Sequence, residues 1–278
     1  MYRGGGMDVE RGIALLELLV DHYETLATLR ADERLTSRDL EVELGHSRAT
    51  INRHLAALRE EALVSTDRGE HALTAFGAEV LQALEQFCHP LHVSAQLPAL
   101  VEQLASCPVA FDVQLLAGAT VTRATADAPY RMHERYLGWW NETESVYGMR
   151  SIGVIPPDVV DRLKPKLRGD VEVESIWTPP AAAQYLEAYP EIRSLWLEES
   201  NARMLITHES VPVQVGLFDA RLAFTVHDDE TGFPRALVDT THPEACEWAR
   251  DLHRYYRERA RPLDAWLRET ERVNVDRV

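Results

Sequence analysis

Lysine is almost missing from this chain: of 29 lysines and arginines in 278 residues, only Lys164 and Lys166 are lysine. Neither stands two places after a histidine, and neither lies in a glycine-rich phosphate-binding loop. Cysteine is scarce as well. Cys88, Cys107 and Cys246 are an odd number without CxxC spacing, which excludes a disulfide framework and a zinc ribbon. No apolar run approaches the roughly 18 residues of a membrane helix. The segment Met1–Glu10 is glycine-rich and acidic rather than basic and then apolar, so no leader is read there and the expected location is the cytoplasm. GxSxG, GxGxxG and HExxH are missing too, and His133-Glu134 lacks the second histidine that a zinc hydrolase requires.

What is present is an average globular composition, with 45% hydrophobic and 27% charged residues, and enough length for two modest domains. Acids outnumber bases by 45 to 29, a formal charge of -16, and they are spread along the chain. This arginine-rich, acid-rich balance reads as that of a salt-adapted proteome, where the Debye length falls to about 3 Å and distributed negative charge keeps the protein soluble. An ordinary acidic cytosolic protein is the alternative.

Near the start, Ile13, Leu16, Leu19, Val20, Tyr23 and Leu26 recur at helical spacing, which predicts an amphipathic helix over 9–30. Residues 35–58 then read as helix, tight turn, helix. Thr36 or Ser37 offers a cap, Gly45 permits a left-handed turn, and Ser47 caps the second helix. On that helix Ile51, Leu55 and Leu58 form the inward stripe. The opposite side carries Ala49, Thr50, Asn52, Arg53, Ala56 and Ala57, with Arg48 at its flank. Such a short-chained face can approach a major groove closely, with arginine suited to guanine or phosphate and asparagine to adenine. Residues 61–74 read as a hairpin with Arg68 at its tip. A further helix over 75–87 points Phe76, Val80, Leu81 and Leu84 inward.

Together these segments, with Leu-Gly-His-Ser-Arg-Ala-Thr-Ile-Asn-Arg-His-Leu at 44–55, resemble the winged helix-turn-helix domain of archaeal and bacterial transcription regulators. The resemblance implies that Arg48, Thr50, Asn52 and Arg53 contact the major groove of a double-stranded DNA operator. Ser47 would then meet a phosphate, and Arg68 the minor groove or phosphates. Charge argues the other way: residues 37–71 carry five arginines against seven acids, where a DNA binder is ordinarily basic. An interaction adaptor that has lost DNA affinity is therefore the alternative.

The expected organisation is a winged helix-turn-helix domain over 9–87, a linker over 88–96 in which Pro90 discourages helix continuation, and an α/β effector domain with a mixed sheet over 97–268. Helices are predicted over 97–106, 130–141, 157–167, 181–188 and 243–267. Strands are predicted over 109–116, 119–126, 146–152, 171–177, 202–208, 212–218, 222–226 and 235–238, with turns at 219–220 and 229–232. Parallel crossovers thus come first and hairpins afterwards.

This order, with the 212–226 hairpin and a closing helix, resembles the effector domain of archaeal FilR-type regulators and the phospholipase-D-like sensor domain of TrmB-type regulators. The family implies a homodimer reading a two-fold operator, with a second domain that binds a small-molecule effector or another protein. The first and last helices, both apolar on one side, are the expected dimer surfaces. The phospholipase-D His-x-Lys is missing, since His208 is followed by Glu209 and Ser210. No catalytic residue is assigned, and a phosphodiesterase is the least favoured alternative. No cofactor and no membrane partner are expected.

By the rule that α/β domains bind ligands at the carboxyl ends of strands, the candidate effector residues are Tyr130, Arg131, Arg150, Trp177 and His208. Ser151, Thr178, Trp139, Trp140 and Asn141 lie close by. The arginines suit a carboxylate or phosphate, although the favoured reading of Trp139 and Trp177 is core and that of either arginine a surface ion pair. Cys88, His89 and His92 carry metal-ligating atoms but read as an interdomain linker, and the acidic turn at 228–232 reads as a solvated loop rather than a cation site.

Overall fold

A computed structural model describes residues 9–228 and 233–275. The chain divides into two compact units, residues 1–88 and 89–278.

In the first unit, the expected single helix is two: α1 (Val9–Asp21) and α2 (Tyr23–Ala31), separated at His22, whose backbone leaves the helical region. Strand β1 (Leu35–Thr36) leads into α3 (Ser37–Leu44) and α4 (Arg48–Glu60), followed by β2 (Val64–Asp67), β3 (Glu70–Leu73) and α5 (Ala75–Gln96). The three strands form one antiparallel sheet in the order β1-β3-β2, with Asp67 opposite Glu70 across a two-residue turn. Leu26, Leu40, Ile51, Leu55, Leu58, Leu63 and Leu81 are all at most 1% exposed and fill the core. Phe76, expected inside, is half exposed. Gly77 takes the inward place because a Cβ there would stand 2.1 Å from the Leu63 carbonyl oxygen.

The segment expected as a linker is helical. α5 continues through Pro90 to Gln96. Proline removes one donor from the helix, but the burial of Pro90 and Val93 compensates for that loss.

The second unit is an eight-stranded mixed sheet with helices on both faces. In chain order the elements are α6 (Pro98–Ala105), β4 (Thr120–Thr122), α7 (Arg131–Glu142), β5 (Ser145–Arg150), α8 (Pro157–Leu167), β6 (Glu172–Trp177), α9 (Pro179–Ala188), α10 (Ile192–Glu198) and β7 (Ala202–Ile206). Then come β8 (Gln214–Phe218), β9 (Arg221–His227), β10 (Pro234–Thr240), α11 (Pro243–Arg257), β11 (Arg261–Pro262) and α12 (Leu263–Val275). The sheet order is β11-β7-β6-β5-β8-β9-β10-β4. β5, β6 and β7 are parallel, and every other pair is antiparallel. The stretch 109–116 is not a strand: Asp112 caps a 3-10 turn over Val113–Leu116. The closing helix is broken, because β11 pairs with β7 at the sheet edge before α12 begins.

One sheet face packs on α7, α8, α9 and α10 around Trp177, Tyr185, Trp196 and Val160. The other packs on α6 and α11 around Phe224, Val238, Leu252 and Tyr256. The apolar side of α11, including Ala245, Trp248 and Leu252, is thereby covered by its own sheet and is not available to a second copy. A buried carboxylate ties α7 to the sheet. Asp239, 2% exposed, accepts Arg135 Nε at 2.7 Å and its NH2 at 2.8 Å, and Arg221 NH1 at 2.8 Å. The turn at 229–232 lies outside the described residues.

Candidate nucleic-acid interface and effector cavity

The geometry around α4 follows from its caps. Thr36 and Asp39 form a reciprocal box at the start of α3: the Thr36 hydroxyl accepts from Asp39 N at 3.3 Å, and the Asp39 carboxylate accepts from Thr36 N at 2.8 Å. The Thr36 hydroxyl and amide together hold the Asp39 pKa below its usual value. Gly45 ends α3 at φ +67°, and Ser47 accepts the Thr50 amide at 3.3 Å to open α4.

The helix then buries Ile51, Leu55 and Leu58 and leaves Arg48, Ala49, Asn52 and Arg53 exposed. Thr50 is half-buried, its hydroxyl 3.0 Å from that of Ser47, so it reaches outward less than its helical angle predicts. Arg48 stands 3.8 Å from Glu41 and Arg53 has no ion-pair partner among the described residues. At the wing tip Arg68 and Gly69 have φ of +50° and +86°, the left-handed pair that a two-residue hairpin turn demands. Arg34 lies beside the tip, 3.8 Å from Asp67 and 3.7 Å from Glu70.

A network behind this face was not foreseen from sequence. Ser37 Oγ donates to Asn52 Oδ1 at 3.1 Å and lies 3.2 Å from His71 Nε2, while His71 Nδ1 lies 2.8 Å from Thr66 Oγ1. With the Ser37 proton given to Asn52, His71 carries its proton on Nε2 and accepts from Thr66. Burial first, then Arg59, lowers the His71 pKa, in keeping with that neutral tautomer. The chain runs from the wing to the outer face of α4, and the only sequence signal for it was four scattered polar residues. Nearby, the rings of His22 and His54 are 4.4 Å apart and those of His46 and His54 5.8 Å. No group of three or more His, Cys, Asp or Glu among the described residues is arranged to hold a metal. His89 and His92 are used locally, by the Gly118 amide and by Gln96.

In the second unit a cavity of about 570 Å³ opens beside the carboxyl end of β5. Tyr130, Val154 and Phe233 are exposed apolar residues among those lining it, and Arg150, Tyr136 and His227 are among the polar ones. The register assembles this polar group. Arg150 pairs with Trp177 across β5 and β6, Met149 opposite Val215 brings Arg150 beside Gln214, and Gln214 pairs with Thr225. Arg150 donates to the Tyr136 hydroxyl at 2.7 Å and its guanidinium carbon lies 5.6 Å from the Trp177 ring centroid. His227 Nδ1 is 3.1 Å from Gln214 Nε2, and burial, then Arg150, pushes the His227 pKa down to about 4. Asp158, the one acid among the lining residues, is hydrogen-bonded to His133.

Of the five candidates, Tyr130 and Arg150 line this cavity, and Trp177 is a 1%-exposed core residue stacked on Tyr185 that borders a smaller hollow behind it. Arg131 and His208 do not line it. Arg131 begins α7 on the exposed side, and His208 lies on an exposed loop past the end of β7, three strands from β8 around the sheet order. Gln214 and His227 were missed because only the sheet order brings them to Arg150, and Tyr136 because only the packing of α7 on the sheet does.

A winged helical unit followed by an α/β unit with a polar-floored cavity defines a two-domain regulator. Residues 129–259 match the family of the methanogenesis regulatory protein FilR1, middle domain, and residues 10–96 match the HVO_A0261 N-terminal domain. By these two matches the chain is similar to archaeal regulators of the FilR kind. Among solved structures it is similar to TrmBL2, an archaeal chromatin protein, at 15% identity and a TM-score of 0.41, covering 89% of this chain and 98% of that one. It is also similar to NucT from Helicobacter pylori, at 11% identity and a TM-score of 0.42, covering 52% of this chain and 98% of that one. A phospholipase D family member, Nuc from Salmonella typhimurium, matches at 12% identity and a TM-score of 0.39, covering 52% of this chain and 97% of that one. Values this low say nothing of substrate or partner. Among curated proteins nothing matches. No helix of the described residues is long and apolar enough to cross a membrane.

Proposed function

We propose that this protein is a sequence-specific, double-stranded-DNA-binding transcription regulator that works as a homodimer and answers to a small molecule held by its second unit. The observation that carries the reading is the outer face of α4: Arg48, Asn52 and Arg53 stand exposed on a helix whose other side is sealed into the core, with Arg68 at the tip of the adjoining wing. Arginine and asparagine are the side chains that read guanine and adenine edges, and the short residues between them let the helix backbone come close. Phosphate contact falls to Ser47 and Arg68. The local acids sit on α3, at the end of α4 and beside Arg34.

Dimerisation is assigned to α1. Val9, Ile13, Leu16 and Val20 follow one another at spacings of four, three and four, the seam of a two-stranded coil, and each is at least 40% exposed. The adaptor reading draws on the Arg48–Glu41 pair, which partly neutralises the reading face. One experiment separates the two. DNA selected from a random library by the purified full chain is titrated by fluorescence anisotropy in wild type and Arg53→Ala. Enrichment of an inverted repeat, with binding weakened about 5- to 100-fold by the substitution, is expected. A chain that selects no sequence is an adaptor.

A further inference from the structure

Hydrogen-bond donors without acceptors gather at one place in the second unit. Arg150 has five N–H groups, yet its one hydrogen bond to a described residue is to the Tyr136 hydroxyl, and it has no carboxylate partner among the described residues. The other half-buried arginines of this unit are matched. Arg135 and Arg221 share Asp239, and Arg123 donates to the Gln96 side chain at 2.6 Å and to its carbonyl at 3.0 Å. Behind Arg150 lies a hollow of about 40 Å³ that borders the larger cavity through Tyr136, Arg150, Ile155, Val159 and Thr225. Trp140, Trp177 and Trp196 line it, each at most 5% exposed; the indole N–H groups of Trp140 and Trp177 lack an acceptor in the protein, and that of Trp196 has only the Tyr185 hydroxyl beside it. Indole and guanidinium can only donate, and no acid lines this hollow. A buried donor left unpaired costs about 1–3 kcal/mol, so such a cluster is stable against a group that only accepts. Gly148, Gly216 and Ala223 keep the sheet surface beneath it bare of large side chains.

We propose that the second unit binds a small organic carboxylate with an apolar body. Its carboxylate lies against Arg150 and the Tyr136 hydroxyl at the mouth of the indole-lined hollow, and its body fills the larger cavity between Tyr130, Val154 and Phe233. The proposal rests on reading this unit as the effector domain. The apolar rim distinguishes this ligand from free phosphate, which the same donors would hold but which leaves some 570 Å³ of largely apolar space without a contact. Guanidinium recognition of a carboxylate is charge-assisted and directional, which separates it from an uncharged amide of the same shape.

All six tryptophans lie beyond residue 88, and three of them line the hollow, so their fluorescence reports binding in the full chain. Hexanoate, phenylpropanoate, phenylpropanamide, acetate and inorganic phosphate are each titrated into the wild type, Arg150→Gln and Tyr136→Phe. The expected result is saturable change with hexanoate or phenylpropanoate, with the amide, acetate and phosphate at least tenfold weaker. Arg150→Gln weakens the carboxylates at least tenfold and Tyr136→Phe about threefold. The denaturation midpoint of each variant, followed by the same fluorescence, shows whether it is folded. Should Arg150→Gln not fold, Tyr136→Phe, which removes one hydroxyl, still decides the matter. No saturable change with either carboxylate, equal binding of the amide, or equal binding of phosphate overturns the proposal. So does unchanged carboxylate affinity in both variants. Operator binding, measured on the same samples, stands apart: a chain that binds DNA but neither carboxylate sinks this proposal alone, and one that binds a carboxylate but selects no DNA sinks the regulator reading.

Discussion

Asp239 offers the sharpest test of how the cavity is held together. Its carboxylate, 2% exposed, accepts three charge-assisted hydrogen bonds, two from Arg135 on α7 and one from Arg221 on β9. α7 carries Met132, His133 and Tyr136 into the cavity wall, so the clamp fixes that wall to the sheet. Asp239→Ala leaves two guanidinium groups facing each other without a counter-charge. Breaking a buried ion pair costs roughly 3–5 kcal/mol. Both arginine side chains are about one-third exposed and are partly rehydrated, which places the loss near the lower end, about 3 kcal/mol. With a urea slope of about 2 kcal/mol/M for a unit of this size, the midpoint falls by roughly 1.5 M. Tryptophan fluorescence follows the second unit selectively, because all six indoles are there. A buried pair is little screened, so the deficit persists in molar salt. A midpoint within about 0.3 M of wild type, or a deficit that salt erases, refutes the assignment of Asp239 as a buried clamp.

Three further outcomes are expected. Burial pushes His227 and His253 down to about 4 from an ordinary 6.5, so the unfolded chain binds the extra protons first. Their contribution to stability is complete above pH 6.5 and is lost as the pH falls toward 4. Comparing the acid limb of wild type with that of His227→Gln/His253→Gln checks this, and the two should differ in slope between pH 6.5 and 4 and run parallel outside that window. Gly77→Ala drives a methyl group into the Leu63 carbonyl and should destabilise the first unit by about 2 kcal/mol or more, read as faster amide exchange at Leu58 and Leu63; unchanged protection contradicts the close approach. Arg68→Ala should reduce the slope of log affinity against log salt by about 0.9 while leaving sequence preference intact, and a changed consensus with an unchanged slope would instead make Arg68 a base reader.

The parts of the fold legible in the sequence are those with local chemistry. Thr36, Gly45 and Ser47 punctuate the helix-turn-helix by themselves, and Asp-Arg-Gly marks the wing. In the second unit, apolar runs outline β5 and β6, and helical periodicity outlines α7 and α8. What escaped was decided by distant packing. Pro90 argues for a helix end, yet the burial of its ring and of Val93 keeps α5 intact. The alternating apolar residues of 109–116 look like a strand, but Asp112 bonds the Gln114 amide at 2.9 Å and turns the chain. Arg150 was recoverable because it ends a strand. Its neighbours Gln214 and His227 were not, since an antiparallel register joins them to it from more than 60 residues away in sequence, and Tyr136, 14 residues away, reaches it only through the packing of α7 on the sheet.

That register also orders events during synthesis. Every strand pairing of the first unit closes within residues 35–73, so its sheet can complete while most of the chain is still unmade. β4, in contrast, pairs only with β10, and its partners Leu237, Val238 and Asp239 are translated after Thr122 by an interval of about ten seconds at ordinary elongation rates. Until then residues 120–122 have no strand to lie against. A nascent chain stalled in that interval would carry a first unit whose strand pairings are complete and a second sheet that still lacks the partner of β4.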